Sequence, residues 1–371
     1  MKTVAHCISP YLQTAGPWVY EQVCRARCYR PIVLTQGAIN LDAYPVDTLY
    51  SAEAFPPLAC WTNRLWRRVQ NEYLFYENII RDERVDLLHA HFGYEGCRLL
   101  RAQRRTERPL LTTFYGADAT EYPRYPRWMR QYEILFERGA LFLAEGGAMA
   151  ERLVALGCPA DRVRVWHLGV DVERIAFVQR QKGAKVRFLI CAGFKEKKGI
   201  PYALRGLALA HRQQPFEYQL TLIGDGEDRA DIEREVDALG LRPHTVFRGM
   251  LPYAKVVDEL SEHDILFQTS VTAANGDGEG GAPVILLDAQ ASGMPIVAST
   301  HADIPEYVRD GESGFLAEEK DVEGIAERIL YLATRAEEWP RMGLAGRQHI
   351  EVSYSAECQA RALESIYDEV L

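Results

Sequence analysis

The sequence predicts an α/β protein with two Rossmann-like domains, each built around a doubly wound parallel sheet. Its 371 residues are too many for one ordinary domain and fit two domains of similar size. Short apolar segments alternate with longer amphipathic segments in both halves, as strands alternate with helices in parallel sheets that are covered on both faces. Between the halves, residues 178–185 are polar and lack clear periodicity, which predicts a linker near residues 172–185.

The predicted strands alternate with helical segments along the whole chain. They cover residues 4–8, 31–34, 86–90, 110–114, 140–144 and 163–166 in the first half, and 186–192, 218–223, 245–248, 265–269 and 295–298 in the second. We therefore predict one domain over residues 1–175 and another over residues 176–353, facing each other across a cleft. A C-terminal helix over residues 354–371 is expected to pack back on the first domain.

Composition indicates an ordinary folded protein, with 47% hydrophobic and 26% charged residues. The first residues lack an extended apolar region, and no apolar run reaches the roughly 18 residues of a membrane span. Eight scattered cysteines favour the cytoplasm. Cys24 and Cys28 are the only close pair, and we interpret them as buried thiols because no further zinc ligands lie nearby.

The net charge of -9 is unevenly distributed, since residues 1–175 carry 22 Lys and Arg against 20 Asp and Glu. The remaining residues carry 21 against 32. A slightly basic first half suits an anionic partner, although an acidic second half also serves solubility. No nucleic-acid partner is expected.

Ligands of doubly wound sheets bind beyond the carboxyl ends of the strands, so the loops after strands should carry the chemistry. The first such loop contains Gly193, Lys195 and Lys198 and leads to a helix that begins near Pro201. Cations at a helix start are disfavoured by the positive end of the helix macrodipole. A bound diphosphate would make them favourable, because its negative charge interacts with both the lysines and the free N–H groups of the helix. The alternative is a solvated charged loop.

A second loop, formed by Gly224, Asp225 and Gly226, follows another predicted strand. Its glycines allow a tight turn and close approach of a ligand. The spacing is not that of the full dinucleotide-binding pattern, so it does not predict a nicotinamide site.

A third loop joins glycines to a predicted helix start and carries one acid before the helix and one inside it. Its residues are Glu279, Gly280, Gly281, Ala282, Pro283 and Asp288. Glu279 is expected to accept hydrogen bonds from sugar hydroxyls, and Asp288 from ribose hydroxyls. In the alternative interpretation Glu279 is a favourable charge near a helix N-terminus and Asp288 is a surface acid. The apolar neighbours of Asp288 fit that alternative poorly.

Together these loops resemble the retaining glycosyltransferases of the GT-B fold, specifically family 4 and its bacterial exopolysaccharide (colanic-acid-type) members. The resemblance covers nearly the whole chain, and the order and spacing of its motifs are specific. They are residues 89–93 (HAHFG), 112–118 (TTFYGAD), 156–159 (LGCP), 168–171 (LGVD), 196–199 (EKKG), 224–226 (GDG), 276–283 (GDGEGGAP), 301–306 (HADIPE) and 311–316 (GESGFL).

The resemblance implies an acceptor-side first domain and a second domain that binds a UDP- or GDP-linked sugar. It implies that Lys198 contacts the donor diphosphate, Glu279 the transferred sugar and Asp288 the ribose. The sugar would pass with retention to a glycan, lipid-linked or small-molecule acceptor, and a leaving-phosphate oxygen would take the acceptor's proton. No Asp-x-Asp motif occurs in these loops, so neither a catalytic metal nor a further cofactor is expected.

The sequence departs from the family pattern at three places. Phe194 stands where the family usually has an arginine, and Lys195 is the candidate to replace it. Eight residues separate Glu279 from Asp288, whereas the family has two glutamates separated by seven. Tyr115 stands where the family often has histidine.

In the first half, His91, Tyr115 and Asp118 follow predicted strands and are expected to line the acceptor side, with a structural hydrogen-bonding role as the alternative. Basic and aromatic residues predict a peripheral contact with membrane phosphates at the cytoplasmic face, or a solvated basic face whose aromatics pack inward. They are residues 61–68 with Arg98, Arg101, Arg105 and Arg108.

Two other functions stay open on the sequence. A sugar-nucleotide epimerase of the same architecture would bind the donor and release an altered sugar. A catalytically weak sugar-nucleotide-binding protein would fit the missing arginine and the shifted acid. Incubation with donor alone, and then with acceptors, distinguishes them.

Overall fold

The computed structural model describes residues 1–12 and 17–371. The chain forms two compact units. Unit 1 comprises Met1–Gly169 and Ala356–Leu371, and unit 2 comprises Val170–Ser355. In the described part of the chain, no helix combines the length and apolar character that a membrane crossing requires.

Strands and helices alternate through both units. The strands are β1 (Lys2–Cys7), β2 (Tyr29–Thr35), β3 (Leu49–Ser51), β4 (Leu87–His91), β5 (Leu110–Thr113), β6 (Leu141–Ala144), β7 (Val163–Val165), β8 (Val186–Cys191), β9 (Tyr218–Ile223), β10 (Thr245–Gly249), β11 (Ile265–Gln268), β12 (Ile296–Ser299) and β13 (Gly314–Ala317). The helices are α1 (Pro17–Arg25), α2 (Pro57–Gln70), α3 (Tyr76–Asp82), α4 (Gly93–Thr106), α5 (Ala117–Thr120), α6 (Pro126–Arg138), α7 (Gly147–Ala155), α8 (Ile200–Gln213), α9 (Arg229–Ala238), α10 (Tyr253–Glu262), α11 (Ile285–Ala291), α12 (Ile304–Tyr307), α13 (Val322–Thr334), α14 (Trp339–Ser353) and α15 (Ala356–Val370).

Each unit contains one sheet in which all neighbouring strands are parallel. The strand order is β3-β2-β1-β4-β5-β6-β7 in unit 1 and β10-β9-β8-β11-β12-β13 in unit 2. The order reverses between β1 and β4 in unit 1, and between β8 and β11 in unit 2. Such a reversal opens a crevice at the carboxyl ends of the strands, where these folds bind ligands. The predicted α/β class is confirmed, and β3 and β13 are strands that the sequence did not predict.

Apolar side chains of the strands fill the space between sheet and helices, as parallel sheets covered on both faces require. In unit 2, Phe188 of β8 stacks on Phe267 of β11 with ring centroids 4.7 Å apart. Ile325 and Ile329 of α13 belong to the same buried cluster. This packing fixes β8 beside β11 and therefore fixes the loops that follow them.

Helix α15 belongs to unit 1 although it ends the chain. The Tyr367 hydroxyl lies 2.7 Å from Nδ1 of His89 on β4. The indole N–H of Trp166 donates to the Gln359 carbonyl over 3.0 Å, and the Tyr29 hydroxyl donates to Asp368. The helix is thus held to unit 1 by buried hydrogen bonds as well as by apolar contacts.

The segment predicted as a linker belongs to unit 2 and is anchored by Arg180. The Arg180 side chain is almost fully buried and donates hydrogen bonds to the carbonyls of Val178, Leu260, His263 and Ser292. Burial lowers the pKa of Arg180 to about 10. Arg180 therefore anchors the segment by satisfying carbonyl groups at helix ends, whereas residues 181–185 are exposed.

The interpretation of Cys24 and Cys28 as buried thiols was wrong. Cys24 lies near the end of α1 and Cys28 in the turn before β2, and both are exposed. All eight cysteines are free thiols.

Candidate functional site

The lysine-rich loop after β8 is fixed against the segment that follows β11. Gly199 has φ +61°, and a Cβ atom there would lie 1.7 Å from the carbonyl oxygen of Thr269. The Thr269 hydroxyl donates to the Gly199 carbonyl over 2.9 Å, and the Val271 N–H donates to the Lys197 carbonyl over 2.8 Å. Only glycine fits this close approach, so the position of the lysines depends on Gly199.

Two lysines of this loop form ion pairs with the loop after β11. Lys198 Nζ donates to Glu279 Oε2 over 2.8 Å, and Lys197 Nζ lies 3.2 Å from Asp277 Oδ2. Lys195 is exposed and has no carboxylate within ion-pair distance among the described residues. Carboxylates thus balance the charges of Lys197 and Lys198 at the start of α8, where the macrodipole disfavours cations.

Glu279 is buried and makes polar contacts on both oxygens. Its Oε1 accepts a hydrogen bond from the Ser270 hydroxyl over 2.6 Å, and its backbone N–H donates to Nε2 of His301 over 3.0 Å. Burial acts to raise the pKa of Glu279, but the Lys198 charge and the hydrogen bonds from Lys198 and Ser270 outweigh it, so the pKa lies below its usual value. Glu279 is therefore a carboxylate at neutral pH.

His301 positions the Glu279 backbone and is itself held by an acid. Its Nε2 accepts from Glu279, so the hydrogen is on Nδ1, which donates to Glu319 Oε1 over 2.6 Å. Glu319 also accepts from the Thr272 N–H. Sequence reasoning assigned no role to Ser270 or His301. Both follow strands directly, β11 and β12, and this position is the signal that could have identified them.

Asp288 lies in the first turn of α11 and is buried. The helix begins at Ile285, two residues after Pro283. The preceding loop turns at Gly280, which has φ +82°. Asp288 Oδ1 accepts from the Tyr253 hydroxyl over 3.0 Å, and burial raises the pKa of Asp288 to about 7. Asp288 is thus no surface acid.

The remaining predicted residues of the third loop are mostly buried. Gly281 and Ala282 are buried, whereas Gly280 and Pro283 are half-buried. These four residues connect Glu279 to α11 and so join the two acids in one continuous segment.

The Gly224–Gly226 turn packs directly on the lysine-rich loop. A Cβ atom at Gly224 would lie 1.8 Å from the Ala192 carbonyl oxygen, and one at Gly226 would lie 2.3 Å from that of Phe194. The Phe194 N–H donates to the Asp225 carbonyl over 2.9 Å. These glycines therefore permit close contact between two loops.

Three further residues of these loops lie as follows. The Asp225 carboxylate accepts from the Gly226 N–H and pairs with Arg229 over 3.1 Å. Gly193 is exposed. The Phe194 side chain is fully buried, so the position where the family has arginine contributes to the core.

In unit 1, His91 and Tyr115 belong to one hydrogen-bonded chain. Nδ1 of His91 lies 2.7 Å from the Tyr115 hydroxyl, which also donates to Gln22 Oε1 over 3.1 Å. Nε2 of His91 lies 3.0 Å from Nδ1 of His6. Burial, with a smaller contribution from His6, lowers the pKa of His91 well below its usual value.

Asp118 holds the loops after β4 and β5 together. Its Oδ2 accepts from the Gly93 N–H over 2.8 Å, and its Oδ1 accepts from the N–H groups of Tyr115 and Gly116 over 3.0 and 2.9 Å. Burial raises the pKa of Asp118 to about 6, although the backbone donors act in the opposite direction. The geometry gives Asp118 a structural contact with three backbone groups.

Among the described residues of unit 1, the histidines at the β1/β4 reversal are the group that brings metal-ligand atoms close together. Ligand atoms of His6, His89 and His91 lie within 4.8 Å of one another. Both ring nitrogens of His89 have partners, the hydroxyls of Tyr367 and Thr113, and both nitrogens of His91 are also engaged. A metal ion would have to displace these hydrogen bonds.

Two family models match the chain in succession. Residues 22–174 match Glycosyltransferase Family 4, and residues 171–349 match Glycosyl transferases group 1. The amylovoran biosynthesis glycosyltransferase AmsK of Erwinia amylovora is 30% identical over 289 residues, which cover 77% of this chain and 70% of AmsK. The chain belongs to the GT-B glycosyltransferases. The predicted family is thereby confirmed.

Another relative and a solved structure support the same family and fold. The putative colanic acid biosynthesis glycosyltransferase WcaL of Escherichia coli K12 is 29% identical over 288 residues, covering 76% of this chain and 70% of WcaL. The crystal structure of Anabaena HepE in complex with UDP and glucose superimposes with a TM-score of 0.79 at 15% identity, covering 100% of both chains. The latter likeness shows that this glycosyltransferase has the same fold.

Proposed function

We propose that this glycosyltransferase transfers a sugar from a UDP- or GDP-linked donor with retention of anomeric configuration and without a metal ion. The acceptor is a glycan, a lipid-linked glycan or a small molecule. The observation that supports this most is the Lys198–Glu279 pair, 2.8 Å apart at the β8/β11 reversal of unit 2. It brings one cation and one buried carboxylate to the place where such sheets bind nucleotides.

Each member of the pair suits a different part of the donor. Lys198, next to the N-terminus of α8, would bind the diphosphate together with the exposed Lys195. Glu279 would accept hydrogen bonds from hydroxyls of the transferred sugar, and Asp288 from the ribose. Donor binding would then replace the Lys198–Glu279 contact with contacts to diphosphate and sugar.

The proposed reaction needs no strong protein base. The acceptor oxygen forms a bond to the anomeric carbon while the bond from that carbon to the phosphate oxygen breaks. The acceptor's proton passes to the leaving phosphate. Negative charge grows on the phosphate, and Lys198 with the N–H groups at the start of α8 stabilises it.

On unit 1 we propose that His91 and Tyr115 line the acceptor side. Burial keeps both groups neutral, since it lowers the pKa of His91 and raises that of Tyr115, and their hydrogen-bonded chain fixes their orientation. Asp118 acts as a positioning residue, since it binds the backbone of Gly93, Tyr115 and Gly116. The proposed location is the cytoplasm, at a membrane face where the acceptor is lipid-linked.

A panel of UDP- and GDP-sugars in a thermal-shift assay, followed by product analysis by NMR, tests the proposal. We expect one donor class to raise the melting temperature and to yield an α- or β-linked product with the donor's own configuration. An inverted product would contradict the retaining mechanism. Conversion of donor without acceptor into an altered sugar nucleotide would favour an epimerase, and binding without turnover would favour a binding protein.

Metal independence has its own test. We expect transfer to survive exhaustive chelation, because lysines and helix N–H groups supply the stabilising positive charge. Activity lost on chelation and restored by a divalent cation would contradict this mechanism. If only a metal that prefers histidine ligands restored activity, His6, His89 and His91 would be the candidate ligands.

A further inference from the structure

Helix α2 of unit 1 exposes its apolar side chains. Leu58, Trp61, Leu65 and Val69 are 72%, 61%, 48% and 64% exposed. Their spacings of three and four residues place them in one stripe along the helix. Surface helices of folded proteins usually turn such a stripe towards the core, so α2 has the opposite orientation.

Polar groups hold the other side of α2. Asn63 is buried, donates to Gln36 Oε1 over 2.7 Å and accepts from the Leu74 N–H over 2.9 Å. The Cys60 thiol lies 3.1 Å from the carbonyl oxygens of Ala52 and Phe55. These contacts fix the rotation of the helix and keep its apolar stripe in solvent. The predicted alternative, a basic face with its aromatics packed inward, was wrong for Trp61.

The arginines of α2 differ from those of α4 in their partners. Arg98 pairs with Glu95 over 2.7 Å, and Arg101 with Glu77 over 3.3 Å. Arg105 lies 3.9 Å from Glu77, and Arg108 is exposed. The predicted contact of the α4 arginines with membrane phosphates therefore has little support.

By contrast, Arg64, Arg67 and Arg68 have no carboxylate within ion-pair distance in residues 1–12 and 17–371. Arg64 and Arg68 are exposed beside the apolar stripe. The helix itself contains no acidic residue. Its exposed side therefore combines an apolar stripe with uncompensated positive charge.

We propose that α2 is a membrane-docking surface that lies in the interface of a bilayer containing anionic phospholipids. Its 14 residues span about 21 Å, which suits a helix lying in the membrane plane. Leu58, Trp61, Leu65 and Val69 enter the acyl boundary, while Arg64 and Arg68 contact lipid phosphates. In a symmetric dimer formed through this surface the same unpaired arginines would lie against each other, so the guanidinium groups favour anionic lipid over a second copy of this chain.

Vesicle flotation of the full chain tests this surface. We expect at least about tenfold stronger binding to vesicles of phosphatidylcholine with phosphatidylglycerol than to phosphatidylcholine alone, and weaker binding as salt rises. The double variants Trp61→Ser/Leu65→Ser and Arg64→Gln/Arg68→Gln should each lose about tenfold or more in binding to the anionic vesicles. Circular dichroism and melting temperature confirm that each variant is folded.

Matched control substitutions lie in unit 2. Met250 and Val352 are 66% and 75% exposed, and Arg212 is exposed. Met250→Ser, Val352→Ser and Arg212→Gln should bind vesicles as the parent chain does. Bromine-labelled acyl chains should quench Trp61 fluorescence, and Trp61→Phe should remove that component.

Absence of binding to anionic vesicles, or unchanged binding by the Trp61→Ser/Leu65→Ser variant, would overturn the proposal. A stripe that instead supports self-association in sedimentation velocity, with no vesicle binding, would also overturn it. The assay uses neither donor nor acceptor. Failure of vesicle binding is therefore distinguishable from failure of the proposed transfer reaction, which a water-soluble acceptor measures separately.

Discussion

Lys198 and Glu279 form an ion pair whose members are proposed to bind different parts of one donor. Both are largely removed from solvent, with 18% and 6% of their side-chain surfaces exposed. Loss of the lysine would leave a buried carboxylate supported by the Ser270 hydroxyl. A single substitution in this pair therefore changes both the charge balance of the buried pair and the contacts available to the donor.

We expect Lys198→Ala to lower turnover by about a hundredfold or more, because the charge that stabilises the leaving phosphate is lost. Steady-state kinetics with the identified donor measures this, and the melting temperature should show that the fold persists. Lys185→Ala, an exposed lysine before β8, is the matched control and should keep parent activity. If Lys198→Ala retained near-parent turnover, Lys198 would have only a structural role, as the partner of Glu279.

Glu279→Gln and Asp288→Asn should differ in calorimetry. Glu279→Gln should impair transfer but leave binding of free nucleoside diphosphate nearly unchanged, because that ligand has no transferred sugar. Asp288→Asn should weaken donor and nucleoside diphosphate together, by about 1 to 3 kcal/mol if a buried ribose hydrogen bond is lost. Equal behaviour of both variants towards the nucleoside diphosphate would contradict the assigned roles.

The pKa of Asp288, raised to about 7 by burial, supplies a second readout. Ribose hydroxyls donate to the charged carboxylate, so binding favours the deprotonated form. Affinity should therefore fall as pH decreases below about 7 and level off above it. In Asp288→Asn this dependence should disappear.

At the scale of elements, the lysine-rich loop between β8 and α8 depends on one glycine. Gly199 and Gly240 both have left-handed backbones, at φ +61° and +70°. A Cβ atom at Gly199 would meet the Thr269 carbonyl oxygen at 1.7 Å, whereas one at Gly240 has nothing within 4 Å. The two positions therefore have the same backbone strain but differ in the room available for a Cβ atom.

Gly199→Ala should therefore reduce stability well beyond the roughly 1 to 2 kcal/mol of left-handed strain, and should also displace Lys198 and lower activity. Gly240→Ala should show the strain alone and retain full activity. Urea denaturation and kinetics of the two variants measure the difference. Equal loss of stability would mean that the Gly199 turn can move away from Thr269.

At the scale of the whole molecule, both sheets concentrate polar groups at the point where strand order reverses. In unit 1 the buried residues there are His6 on β1 and His89 and His91 on β4. Burial lowers the pKa of His6 to about 3 and that of the other two well below the usual value. These neutral imidazoles couple the stability of unit 1 to pH.

Stability should fall as pH decreases below about 6.5, because the unfolded chain binds protons that the buried histidines do not. Asp118, whose pKa is raised to about 6, and Glu95, whose pKa is also raised by burial, act in the opposite direction but are two groups against three. His6→Asn should flatten the dependence by about 1.4 kcal/mol per pH unit between pH 6 and 4.5. An unchanged slope in urea denaturation would show that His6 titrates normally.

The sequence by itself determined the class of fold and identified the loops that are proposed to carry the chemistry. Periodicity predicted eleven strands, but it missed β3 and β13, which are three and four residues long. Both lie at the edge of a sheet and contain half-buried residues, so their pattern is weaker than that of a buried central strand. Lys198, Glu279 and Asp288 were predicted because charged groups in apolar or glycine-rich surroundings are recognisable locally.

Only the tertiary structure decided the partners of these residues. Glu279 is contacted by Ser270, nine residues earlier in the same loop, and by His301 from the loop after β12, and Asp288 is contacted by Tyr253 from the start of α10. Nothing in the local sequence of Glu279 or Asp288 specifies these partners. The outward stripe of α2 was equally hidden, since helical spacing shows that a face exists but not which way it turns. Contacts between loops follow from strand order, which is fixed by packing between segments far apart in the chain.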